Sequence, residues 1–344
     1  MCNWTLKGSS IIMKELKSKV TRTVSFVLML SMILSLTLMS TGCSKKASVN
    51  KKLQIVTTIF PEYDWVMNIL GDNPANAEVT LLLDNGVDLH SYQPSTEDIL
   101  KISTCDMFIY VGGESDEWVS NALENATNKD MVVINLLDVL GDSVREEEII
   151  EGMEAEEEEE EGEEEIEYDE HVWLSLRNAK TICEKIEEGI SKIDKDNKNV
   201  YKENLDKYTN ELSKLDKEYE ENVSAASKDT VVFGDRFPFV YMIKDYDLNY
   251  YAAFVGCSAE TEASFETVVF LSEKIDELGL GYVLTIENSD KKIAETIVDT
   301  CKSEDVKIQT LDSMQATTLD DYKNGTNYLS VMKDNLSVLS ECLN

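Results

Sequence analysis

Two histidines are all that the 344 residues contain, so any imidazole chemistry has to run through His90 and His171. Positive charge is scarce as well: 32 lysines and arginines stand against 67 aspartates and glutamates, for a formal net charge of −35. A chain of that sign repels phosphate backbones instead of releasing their counterions, which excludes a general nucleic-acid binder and leaves cations as natural partners. No C-x-x-C spacing occurs among the seven cysteines, so neither a zinc knot nor a thioredoxin-like site is supported. Nor is there an H-E-x-x-H helix or a nucleophile elbow, the usual routes to a zinc peptidase or a serine hydrolase. The apolar run from Val24 to Met39 is shorter than the roughly 18 residues that a membrane-spanning helix needs, and Ser31 and Ser35 interrupt it.

That run is instead the middle of a leader. Lys14, Lys17, Lys19 and Arg22 precede it, and Ser40-Thr41-Gly42-Cys43 follows as a small-residue cleavage site. The arrangement resembles a bacterial lipoprotein signal over residues 1–43, with Cys43 as the lipidated residue; it departs from the pattern at Ser40, where leucine is usual. Met13 is an alternative start, and residues 44–52 read as a polar tether.

From Leu53 onward strands and helices alternate. The residues predict strands at Leu53 to Ile59, Val79 to Leu83, Met107 to Val111 and Met131 to Ile134. Helices are expected from Pro61 to Leu70, Thr96 to Ile102 and Glu117 to Leu123, with Ser95 as the cap of the second. Such alternation implies a parallel sheet covered on both faces. Arg145 to Glu170 is nearly all glutamate and should form a disordered loop. Two readings of it stay open: an inert solvated insertion, or a collector that raises the local cation concentration. After Leu176 the apolar spacing turns helical, and Tyr201, Leu205, Tyr208, Leu212, Leu215 and Tyr219 form one stripe of a long amphipathic helix. Alternation resumes with strands at Thr230 to Phe233, Asn249 to Phe254, Tyr282 to Ile286 and Val306 to Thr310. Helices are expected from Phe265 to Leu278, Lys291 to Cys301 and Asn327 to Leu339. The implied division is an N-terminal α/β domain over 53–175, a linking helical segment over 176–228 and a C-terminal α/β domain over 229–344.

His90 lies in Gly86-Val87-Asp88-Leu89-His90-Ser91-Tyr92-Gln93-Pro94-Ser95, a loop at a strand's carboxyl end, where open α/β sheets bind ligands. His171 lies in Asp169-Glu170-His171-Val172-Trp173-Leu174, directly after the acidic run. Taken alone, His90 reads first as a surface histidine in a polar loop. Together, and in this order, the two segments resemble those of the metal-binding lipoproteins that feed zinc or manganese ABC importers, and the likeness runs from about Leu53 to the end. It implies two similar α/β domains with parallel sheets, a backbone helix joining them and a metal site in the cleft between them.

The resemblance implies His90, His171, Asp235 and Asp312 as the metal ligands, with Asp235 where the family usually has histidine or glutamate. Two imidazoles and two carboxylates would neutralise a divalent cation. On the residues alone, Asp235 is equally well a helix cap and Asp312 an Asx-turn. Glu260 and Glu262 are reserve ligands, or carboxylates that would hold a ligand histidine's second ring nitrogen. Cys105 and Cys183 read as core residues, whereas Cys257 and Cys301 are candidates for a disulfide.

The function implied is binding for transport: a monomer on the extracytoplasmic side of the cell membrane, held by its lipid anchor, carries zinc to an ABC permease. Manganese is the alternative cargo. A zinc-dependent surface hydrolase or an adhesin is a weaker alternative, and no enzyme is expected.

Overall fold

A computed structural model describes residues 52–154, 167–258 and 262–344. The leader with Cys43, the tether up to Lys51, the middle of the acidic run and Glu260 lie outside them. Among the described residues no helix is long and apolar enough to cross a membrane.

Val- and Ile-rich runs form two four-stranded sheets, all parallel. The first holds β1 (Gln54–Thr57), β2 (Glu78–Leu81), β3 (Met107–Tyr110) and β4 (Val132–Asn135) in the order β2-β1-β3-β4. The second holds β5 (Thr230–Phe237), β6 (Asn249–Val255), β7 (Tyr282–Ile286) and β8 (Lys307–Leu311) in the order β6-β5-β7-β8. Both orders are the same when counted from each sheet's first strand. Each sheet therefore reverses its direction of growth once, and the reversal opens a crevice at the strands' carboxyl ends.

Helices α1 (Phe60–Leu70), α2 (Thr96–Thr104), α3 (Trp118–Glu124) and α4 (Leu136–Leu140) belong to the first sheet. Next come α5 (Leu176–Ile193) and α6 (Lys198–Ala225), followed by α7 (Val240–Asp245), α8 (Phe265–Leu278), α9 (Lys292–Thr300), α10 (Leu319–Lys323) and α11 (Tyr328–Cys342). The 28-residue α6 buries its whole apolar stripe, Tyr201 to Tyr219. It packs on α1 and α5 and also on α11, and so ties the two sheets together. Its polar tips secure the packing: Asn204 Nδ2 donates to the Ile69 carbonyl at 3.0 Å, and Tyr219 OH to the Met332 carbonyl at 2.5 Å. Tyr208 OH donates at 3.3 Å to Asp64, whose Oδ2 also accepts Tyr328 N at the start of α11.

Two expectations need correction. β5 does not stop at Phe233 but continues to Phe237, because Phe237 stacks on Tyr250 of β6 with ring centroids 3.8 Å apart. Asp235 thus lies inside the strand, where the pairing register with β6 shifts between Phe233 and Arg236. The acidic run is not one disordered loop. Glu146 bridges Tyr168, Glu147 N donates to the Glu167 carbonyl at 2.9 Å, and Glu154 N donates to the Ala253 carbonyl at 2.9 Å. The foothold is apolar: Met153 is buried and Ile150 packs on the core. Residues 155–166 lie outside the described residues.

Candidate metal centre

Leaving β2, the chain makes a single 3-10 turn, Leu89–Ser91, with Asp88 as its cap: Asp88 Oδ1 accepts His90 N at 3.0 Å. Leu89 is buried and pins the turn, so His90 is presented from a fixed backbone. Behind the ring, Nδ1 meets Ser115 Oγ at 2.8 Å and Glu170 Oε2 at 3.6 Å, while Glu170 Oε1 accepts Ser115 N at 2.9 Å. Gly113, at φ +81°, leaves the room Glu170 needs: a Cβ there would meet its carboxylate at 2.3 Å.

His171 is fully buried. Asp169 Oδ1 accepts its backbone N–H at 2.8 Å and lies 3.2 Å from its Nδ1, the carboxylate support that orients metal-binding imidazoles. Both histidines therefore turn Nε2 toward the same point, and the two Nε2 atoms are 3.1 Å apart. Two nitrogens bound to a tetrahedral zinc at about 2.05 Å would be about 3.3 Å apart. The third arm is Cys257, two residues beyond β6. Its backbone N–H donates to Glu147 Oε1 at 3.1 Å, and Gly256 lets the strand end approach the His171 ring, since a Cβ would sit 3.0 Å from Cε1. Among the described residues, the ligand atoms of His90, His171 and Cys257 lie within 4.8 Å of one another.

Electrostatics match this arrangement. Burial and the neighbouring His171 push His90 down to about 3, so it is neutral. Burial opposes the charge on His171 too, but Asp169 outweighs it and the net shift is upward. These directions favour a neutral His90 facing His171 across the 3.1 Å Nε2–Nε2 contact. A divalent cation between the two Nε2 atoms would take the place of that contact. Burial, then Glu147, Asp169 and Glu170, push the Cys257 thiol well up; ionising it requires a cation beside it. A cavity of about 250 Å³ adjoins the group, walled by Glu114, Glu147, Glu167 and Glu170 together with His90 and Cys257.

Asp235 and Asp312 have backbone partners of their own. Asp235 accepts Arg236 N at 2.9 Å and Ile286 N at 3.4 Å, joining β5 to β7. It lines a different cavity of about 420 Å³, together with Asp88, Arg236, Glu287 and Gln315. Asp312 forms an Asx-turn, accepting Met314 N at 2.7 Å, and burial beside Glu287 pushes it up to about 7. Neither joins the His90, His171 and Cys257 group among the described residues. Glu262 is exposed, and Glu260 is outside the described residues. The carboxylates behind the imidazoles are instead Asp169 and Glu170, which directly precede His171. Cys257 and Cys301 are both free thiols. The cue to Cys257 was its position after Gly256 at a strand's carboxyl end, equivalent to that of His90 after β2.

Strand-end loops carrying His90 and Cys257, with His171 at the head of a 3-10 turn, bring two imidazoles and a thiol together in a chain of two like-ordered parallel sheets, the architecture of the two-lobed solute-binding class. The chain belongs to the family described as ZnuA, zinc-uptake complex component A, periplasmic, whose model matches residues 55–342. It is 32% identical over 303 residues to the zinc-binding lipoprotein AdcA of Streptococcus pneumoniae R6, covering 87% of this chain and 58% of that protein. To the high-affinity zinc uptake system protein ZnuA of Bacillus subtilis 168 it is 28% identical over 299 residues, covering 86% and 89%. The crystal structure of the Zn(II)-bound ZnuA-like domain of S. pneumoniae AdcA superposes with a TM-score of 0.67 at 30% identity, over 85% of this chain and 99% of that domain. The chain thus spans just under three-fifths of the AdcA sequence.

Proposed function

We propose that this protein is the metal-capturing component of an ABC importer and that its cargo is zinc. The carrying observation is the pair of facing Nε2 atoms 3.1 Å apart with the Cys257 thiol within 4.8 Å. Two imidazoles and a thiolate suit zinc, whereas manganese prefers oxygen donors. A carboxylate from the wall of the adjoining 250 Å³ cavity, which includes Glu147, would make the site neutral together with the thiolate. Relatives named for zinc binding and zinc uptake support the same cargo. The remaining parts follow the sequence: Cys43 carries the lipid, the chain works as a monomer outside the cytoplasmic membrane, and a permease receives the metal. Residues 53–175 and 229–344 act as the two lobes, with 176–228 between them.

Protein purified without added metal and then titrated with zinc should bind one zinc tightly. Equimolar manganese should not displace it, and His90→Ala or His171→Ala should abolish tight binding. Retention of manganese against equal zinc, or unchanged affinity in both variants, contradicts the proposal.

A further inference from the structure

We infer that Arg236 is a positioning residue for the metal site, a clasp that sets the spacing between the loops carrying His90 and Cys257. The inference rests on reading His90, His171 and Cys257 as the ligands. Asp88 uses its two oxygens for different tasks: Oδ1 caps the turn at His90 N, 3.0 Å away, and Oδ2 receives Arg236 Nη2 at 2.6 Å. The guanidinium's other arm, Nη1, donates to the carbonyl of Ser258 at 3.4 Å, the residue directly after Cys257. One planar side chain from β5 thus touches the residue two before one ligand and the residue just after another.

The backbone explains how it reaches there. The register between β5 and β6 shifts between Phe233 and Arg236, and irregularities of this kind re-aim side chains beside functional sites. Asp235 fixes the kink, accepting Arg236 N with one oxygen and Ile286 N with the other. The Asp88 and Arg236 side chains keep only 24% and 19% of their exposure, so this pair is screened far less than a surface bridge. Arg236 also brings no ligand atom to the site. Its contribution is geometric: it joins the turn holding His90 to the loop holding Cys257.

The test is zinc affinity and dissociation rate, measured by chelator competition on the full chain carrying Arg236→Gln, Asp88→Asn, and both. Asparagine keeps an oxygen for His90 N, so Asp88→Asn removes the ion pair but not the cap. Each single variant should bind zinc 10- to 100-fold more weakly, the usual effect of losing a group that supports a ligand. The double variant should be no weaker than the worse single one, because one interaction is removed once. Arg236→Lys, which keeps the charge but not the second arm, should fall between wild type and Arg236→Gln. With cobalt(II) as the probe, Arg236→Gln at saturation should keep the thiolate-to-metal band while its ligand-field bands shift. A merely structural role would lower the melting temperature of the metal-free protein and leave those bands in place. Zinc affinity within threefold of wild type in Arg236→Gln, or additive losses in the double variant, overturns the clasp. Cys257→Ser and His171→Ala measured alongside separate the two claims: if they lose zinc and Arg236→Gln does not, only the clasp fails. If they keep zinc, the ligand assignment fails.

Discussion

Replacing Glu62 with glutamine should change how stability depends on pH, and the size of the change follows from where the carboxyl sits. Glu62 is completely buried in the first turn of α1, at the carboxyl end of β1. Its Oε2 accepts Thr58 N at 2.8 Å and Ile59 N at 3.4 Å, while Oε1 has no hydrogen-bond partner among the described residues. Burial, reinforced by the Asp116 charge, pushes it up from 4.5 to about 8. A carboxyl raised in this way stabilises the folded state fully below its unfolded value, and that contribution is lost as pH rises through the folded value. The window is therefore about pH 4.5 to 8. The whole shift corresponds to roughly 5 kcal/mol at about 1.36 kcal/mol per pH unit; allowing for relaxation around the charge, about 2–4 kcal/mol is expected. Glutamine keeps an acceptor for Thr58 and Ile59 and cannot ionise. Urea unfolding of the metal-free protein at pH 5, 6, 7 and 8 should give nearly equal stabilities at pH 5, with Glu62→Gln progressively the more stable toward pH 8. Asp64 and Asp116, raised by burial to about 6 and about 7, slope the same way in both proteins and largely cancel in the comparison. Parallel profiles for wild type and variant would refute the burial argument.

Other substitutions probe the site and its surroundings. Gly113→Ala should weaken zinc binding about tenfold by competitive titration, since a Cβ at φ +81° meets Glu170 and disturbs the support behind His90. Asp235→Ala should leave zinc affinity within about threefold, because its oxygens are engaged by Arg236 N and Ile286 N; a loss of 100-fold or more would return Asp235 to the ligand set. Deleting Glu156 to Glu165 should preserve the tight site in calorimetry and remove only weak, salt-sensitive binding, because exposed charges are screened over about 8 Å. Loss of the tight site would give the acidic run a ligand.

Long periodic elements were legible in the residues alone. Strand Tyr282–Ile286 and helix Phe265–Leu278 fall where the pattern puts them, and the buried stripe of α6 follows its steps of three and four. Helices α4, α7 and α10 were not seen, because five or six residues are too few for a 3.6-residue period to register. At the site, the two histidines stood out because there are only two. Cys257 did not: the adjacent Gly256 and the strand end are visible in the sequence, but nearness to His171 arises only once β6 takes its place beside β5. Asp235 and Asp312 entered the ligand set through the family resemblance, since on the residues alone an aspartate at a strand end serves a backbone turn equally well. Their backbone N–H partners, Arg236, Ile286 and Met314, become visible only once the strands are assembled.

Zinc K-edge X-ray absorption on the zinc-loaded protein tests the central claim most directly, because it reads the donor atoms themselves. One sulfur scatterer at about 2.3 Å and two imidazole nitrogens at about 2.0–2.1 Å are expected, with the sulfur lost in Cys257→Ser. A shell of nitrogen and oxygen without sulfur in the wild-type protein would contradict that claim.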